Sequence, residues 1–163
     1  MKFPMVSTAA LLLALVTGNL GTPGGGHHRL LPPSRYSTPS SDPGFIPCAD
    51  PTQIDVDWVL NEFDDKECVS LVKETCGNLV EYTTQHWVEG IRIRDNCSAI
   101  PRWTAIATFT ARGNKYPKRG GHAAIFESCT PDGIWVYDQN VSQPVHRWHF
   151  NSYANLFSTI RLP

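Results

Sequence analysis

The 163-residue sequence has no excess of charge of either sign, with 14 Lys and Arg against 15 Asp and Glu. No bulk field is available to hold a polyanion, so nucleic acid is not an expected partner. There is no internal repeat and no collagen-like period. After residue 18 the chain lacks any apolar run approaching the roughly 20 residues a helix needs to cross a bilayer. Ligand spacing for a metal is missing too: His27 and His28 stand together in a glycine-rich stretch without further ligands, and neither a metal nor a cofactor is expected.

What is present begins with an address. Lys2 supplies a positive start, Ala9 to Val16 an apolar run, and Val16-Thr17-Gly18 a cleavage site, so residues 1–18 read as a secretory signal peptide. The mature chain is expected to start near Asn19, to be secreted and extracellular, and to work as a monomer. Residues 19–47 read as a flexible arm, since five glycines and seven prolines fall between Gly21 and Pro51. Residues 48–163 are then one domain, large enough for a single core with disulfide support.

Within that domain, Ile54, Trp58 and Phe63 fall near one helical face, predicting a short helix over 54–63. A second helix is predicted with Asp64 as N-cap, Glu67 three residues on and Gly77 as its stop. A segment around Trp87 to Ile93 is expected to be helical. The pattern then changes to short apolar or alternating runs at Ala105–Thr110, Ala123–Glu127, Ile134–Gln139, Val145–Phe150 and Phe157–Leu162, which read as strands. Thr130-Pro131-Asp132-Gly133 is suited to a hairpin turn. The fold class is α+β, with N-terminal helices packed on a mostly antiparallel sheet.

Export makes the five cysteines informative, because an oxidising compartment pairs thiols and an odd count leaves one over. Cys68 falls in the first turn of the second predicted helix, where exposed N–H groups and the positive dipole end favour a thiolate. His122 follows Gly120-Gly121, which let backbone or ligand come close. With a three-residue loop, Asp138 shares a sheet face with His122 but sits opposite Phe126, so contact requires a bulge or another loop length. The bland alternatives are a core or disulfide-bonded Cys68, a surface His122 at a strand end, and a turn-capping Asp138 with Gln139 in its place. Arg112, Lys115, Lys118 and Arg119 surround Tyr116 just before His122, either as a solvated loop or as a groove rim that attracts carboxylates. Trp87, Trp103, Trp135 and Trp148 read as core.

Four blocks, Glu67–Lys73, Thr104–Phe109, Gly121–Phe126 and Gly133–Gln139, resemble those of the type VI secretion amidase effectors of family 2. These are peptidoglycan amidases of the NlpC/P60-like, papain-related class. With its signal peptide and surplus cysteines the chain is more closely similar to the domesticated amidase effectors of ticks and mites. The blocks cover roughly half the chain, from Glu67 to Gln139, with weaker similarity to Phe150. Unlike this chain, the bacterial proteins have no such signal or proline-rich arm.

The resemblance implies Cys68 as nucleophile and His122 as general base; Asp138 is the residue chosen to orient the imidazole, and Tyr116, Lys118, Arg119 and Gly121 are expected to contact substrate as that groove rim. It also implies bacterial peptidoglycan as substrate, most directly the crosslink between D-alanine and the side-chain amine of meso-diaminopimelate. A wall-binding or inhibitory protein without turnover, and an amidase cutting between N-acetylmuramate and L-alanine, are the alternatives. If Cys68 is free, Cys48, Cys76, Cys97 and Cys129 form two disulfides. Of three connectivities, Cys76–Cys97 with Cys48–Cys129 is preferred.

Overall fold

The structure is a computed structural model that describes residues 44–63, 65–109 and 113–163. The expected signal peptide, the arm up to residue 43 and the proposed N-cap Asp64 lie outside them. A six-stranded antiparallel sheet dominates, in the order β1-β6-β2-β3-β4-β5. Its strands are β1 Val88–Arg92, β2 Thr104–Thr108, β3 Ala123–Cys129, β4 Ile134–Asn140, β5 Gln143–Phe150 and β6 Phe157–Arg161. One α-helix is present among the described residues, α1 Cys68–Thr75. The architecture is α+β, and no helix among the described residues is long and apolar enough to cross a membrane.

The helix is carried by one sheet face. Leu71 and Val72 are fully buried and cluster with Ala105, Ala107, Ala123 and Ile125 of β2 and β3. Those alanines leave room for a helix to come close, where larger side chains would hold it away. The other face is filled by Ile106, Ala124, Phe126, Ile134, Val136 and Phe157. Every residue of β2 is buried, as expected of a central strand covered on both sides.

Two expected helices are absent. Residues 54–63 contain no helix; only Pro51–Gln53 makes a single 3-10 turn. The segment lies against β4 and β5, with Trp58 Nε1 donating to the Asn140 carbonyl at 2.9 Å and Val145 N–H donating to the Asp57 carbonyl at 2.7 Å. These pairings replace intrahelical bonds. Residues 88–92 form a strand because β6 offers an unpaired edge, against which Gly90 is pressed so closely that a Cβ would collide with Thr159 Oγ1. A helix cannot be matched to that edge, and pairing outweighs local propensity. The helix α1 begins at Cys68 itself, with Glu67 in the N-cap position making no side-chain cap.

The disulfides also differ from the preferred pairing. Cys48 joins Cys76, and Cys97 joins Cys129. Cys48 and Cys76 pack with the helix-side cluster, Cys97 and Cys129 with the opposite one, so the expected cross-pairs would have had to pass through the sheet. Cys68 is free. The folded unit also starts before Cys48: Ile46 is buried, and its carbonyl accepts from Ala105 N–H at 2.9 Å.

Candidate active site

Cys68 is the first residue of α1 and only 5% exposed. At that position its own N–H and that of Val69 belong to the first turn, which has no intrahelical acceptors to offer. The start of the helix is held from the sheet. Gln139, fully buried on β4, donates through Nε2 to the carbonyls of Val59 at 2.8 Å and Glu67 at 3.1 Å, while its Oε1 accepts from Val59 N–H at 2.9 Å. The neighbour considered as an orienting group for His122 instead ties the start of α1, where Cys68 lies, to the strand that carries Asp138.

His122 precedes β3 and is pinned by Thr108 of β2. The His122 N–H donates to Thr108 Oγ1 and the Thr108 N–H to the His122 carbonyl, both at 2.9 Å. Its ring stands edge-on to Phe150 and Phe157. The Nε2 lies 2.8 Å from Asp138 Oδ2, and the Cys68 thiol is near enough to raise the ring's pKa together with that carboxylate. With Nε2 taken by the carboxylate, Nδ1 is the ring nitrogen left for a second partner. Asp138 is 4% exposed, and its second oxygen accepts from the Gln139 N–H at 2.7 Å.

Hairpin geometry explains how Asp138 arrives there. Thr130 and Gly133 close the turn with reciprocal backbone bonds, so the loop is two residues, Pro131 and Asp132, and not three. That change alone would turn Asp138 to the wrong face. A bulge between Phe126 and Ser128 restores the parity: Phe126 faces Val136 and Ile125 faces Tyr137. Continuing that register sets Asp138 opposite Ala124, two residues from His122.

The electrostatics follow from this arrangement. Burial pulls the His122 pKa down, but the Asp138 hydrogen bond and charge, together with the Cys68 thiol, outweigh it and push the value up to about 10. At neutral pH the imidazole is therefore protonated. Tyr116 is pushed up by burial first and then by the nearby Cys68, so it stays a proton donor. Its ring packs edge-on against buried Trp87. Gly121 makes this possible, since a Cβ there would lie 2.6 Å from Tyr116 Cζ.

Two clefts flank the pair. On the thiol side, Cys68 shares a cleft with Asp65, Glu67, Tyr116, Lys118, Arg119 and Gly121. All four residues expected to contact substrate thus line one groove beside the sulfur; Lys115 instead pairs with Val88, and Arg112 lies outside the described residues. On the imidazole side, His122 and Asp138 share a cleft with Asn140, Gln143, His146, Trp148, Phe150 and Tyr153. Trp148 was expected in the core but is 46% exposed on edge strand β5. Its neighbours in sequence, His146, Arg147 and His149, are polar on both sides of the strand, which is the signal that it stands at a wet edge.

Residues 38–158 match the domesticated amidase effector 2 family. The chain belongs to that family. Over 102 residues it is 58% identical to domesticated amidase effector 2 of Ixodes scapularis, covering 63% of this chain and 69% of the relative. Its fold is similar to that of type 6 secretion amidase effector 2, with a TM-score of 0.55 and 22% identity over 65% of this chain and 86% of the other. The papain-like class expected of this amidase-family chain is therefore the observed one.

Proposed function

We propose that this protein is a secreted antibacterial peptidoglycan amidase that hydrolyses stem-peptide crosslinks between D-alanine and the side-chain amine of meso-diaminopimelate. One observation carries the reading: a buried carboxylate 2.8 Å from an imidazole whose pKa is raised by that carboxylate and by the one free cysteine, the first residue of a helix. That is the geometry a thiol nucleophile, its acid–base partner and an orienting group require.

In the reaction, the Cys68 sulfur attacks the amide carbonyl and forms the C–S bond. The oxyanion is held by the N–H groups of Cys68 and Val69, with the Tyr116 hydroxyl as a further donor. Protonated His122 delivers its proton to the departing nitrogen as the C–N bond breaks. Water, deprotonated by the now neutral imidazole, then attacks the thioester; the acid leaves and the proton returns to the Cys68–His122 pair. Asp138 holds the ring in one orientation throughout. Lys118 and Arg119 on the thiol side attract carboxylates of the stem peptide.

Product analysis of digested sacculi tests this. Crosslinked dimers should disappear and uncrosslinked monomers accumulate, with glycan strands and the muramate to L-alanine bond intact, and Cys68→Ala should abolish the change. Stem peptides released from intact glycan would move the cut to the muramate amide. Binding to the wall without any new product would favour an inhibitory or wall-binding role, and undiminished digestion by Cys68→Ala would remove the thiol mechanism.

A further inference from the structure

The cleft lined by Cys68 does not include His122, and the cleft lined by His122 and Asp138 does not include Cys68. This division gives the substrate a direction. In thiol-dependent amide hydrolysis the carbonyl carbon bonds to sulfur while the nitrogen takes the imidazole proton, and these two atoms are only about 1.33 Å apart. The acyl chain must therefore run away on the sulfur side and the amine chain on the imidazole side.

The two sides differ in chemistry. The sulfur side carries Asp65, Glu67, Lys118 and Arg119, whereas the imidazole side has no lysine or arginine and one carboxylate, Asp138. That carboxylate is already engaged by His122 and the Gln139 N–H. What remains is aromatic and amide: Trp148 and Tyr153, 46% and 39% exposed, with the side chains of Asn140, Gln143 and His146. His146 stands edge-on to Trp148 and is fixed by its Nδ1 contact with the Pro144 carbonyl at 2.7 Å. Asn140 is held by Ser142, whose N–H and hydroxyl donate to its Oδ1 at 3.0 and 2.7 Å. These are ordered groups suited to methylene chains and peptide amides rather than to a compact charge.

We propose that the cleft formed by Asn140, Gln143, His146, Trp148 and Tyr153 is the leaving-group subsite, which holds the amine-bearing stem through its aliphatic side chain and neighbouring amides. The assignment rests on the thiol mechanism given above and adds the polarity of the bound substrate: donor stem on the charged side, acceptor stem on the aromatic side. The same subsite then recruits an amine to the thioester. In that step the amine nitrogen attacks the thioester carbonyl, the C–N bond forms as the C–S bond breaks, and the proton passes through His122 to the sulfur. This is the reverse of acylation and needs no other reactant.

The test uses the full chain with a soluble crosslinked muropeptide dimer as substrate and a monomeric stem with a free diaminopimelate side-chain amine as added nucleophile. For the wild type, added monomer should divert the thioester saturably, and a monomer acetylated on that amine should compete for the subsite without being incorporated. Trp148→Ala should raise the half-saturating monomer concentration and the KM for dimer about 10-fold, the scale of losing one aromatic contact. Its rate of Cys68 alkylation by iodoacetamide should stay within about threefold. Gln143→Ala, on the exposed start of β5, should weaken monomer capture in the same direction without touching the core.

If both variants hydrolyse dimer and capture monomer as the wild type does, the subsite assignment fails while the thiol mechanism stands. The assignment also fails if Trp148→Ala leaves competition by the acetylated monomer unchanged. Loss of alkylation together with hydrolysis would mean that Trp148 supports the fold. In that case Gln143→Ala decides: unchanged monomer capture by it overturns the assignment. Should wild type and Cys68→Ala digest dimer equally, the underlying mechanism is the part that fails.

Discussion

Asp138 Oδ2 lies 2.8 Å from His122 Nε2 because a two-residue turn and a bulge in β3 each shift the β3–β4 register by one residue. Either shift alone would leave the carboxylate on the wrong face of the sheet. The pair depends on the bulge as much as on its own side chains.

Asp138→Asn should retain partial hydrolysis, about 10- to 100-fold below wild type, since an amide can still orient the ring but does not stabilise the imidazolium. The pH dependence has a definite sign. His122 is held protonated up to about 10, so wild-type activity should fall as pH climbs through that value, and the alkaline limb should move to lower pH in Asp138→Asn. The same raised pKa contributes stability that is complete below the unfolded value of about 6.5 and is lost as pH rises through about 10. Activity profiles and denaturant midpoints of both proteins from pH 6 to 10.5 check this; coincident alkaline limbs would remove Asp138 from its role.

Gln139→Ala should cost about 1 to 3 kcal/mol, because the half-buried Val59 N–H loses its acceptor and the Val59 and Glu67 carbonyls lose a donor. The start of α1 loosens as well, so kcat should fall more than KM rises. Urea titration and steady-state kinetics on a soluble dimer measure the two effects separately.

Tyr116→Phe keeps the ring against Trp87 and removes only the hydroxyl, so kcat should drop about 10²-fold, as for the loss of one oxyanion donor, with KM little changed. Gly121→Ala should be worse, since its Cβ meets the Tyr116 ring at 2.6 Å and must displace it from the thiol. Equal kcat values for wild type and Tyr116→Phe would exclude the hydroxyl from the reaction.

Replacing Cys97 and Cys129 together with alanine should lower stability by about 2 to 5 kcal/mol, read as a lower denaturant midpoint. Peptide mapping of the oxidised protein should recover Cys48 linked to Cys76 and Cys97 linked to Cys129, with Cys68 alkylated before reduction.

Deleting residues 19–43 should leave turnover on purified wall intact, because no residue of the candidate site lies there. Extending the deletion to residue 47 should destabilise the domain, since it removes buried Ile46 and the Ile46 carbonyl bond to Ala105. A loss of turnover in the shorter deletion with an unchanged melting midpoint would give the arm a part in substrate binding.

The sequence by itself determined most of the sheet and singled out the candidate site residues. Cys68 was legible from the odd cysteine count and its place after Glu67, His122 from the paired glycines before it, and the strands after residue 104 from alternation and turn residues, which are local signals. Tertiary structure decided what no local signal encodes. Residues 54–63 and 88–92 took extended forms because β4, β5 and β6 had backbone groups to pair with them. The disulfides followed from which sheet face each cysteine joined. Asp138 reached His122 through a bulge, Gln139 reached α1 across about 70 residues of chain, and Trp148 became part of a cleft because β5 lies at the edge of the sheet. Each of these depends on contacts between segments far apart in sequence, and those contacts exist only once the sheet has closed over both of its faces.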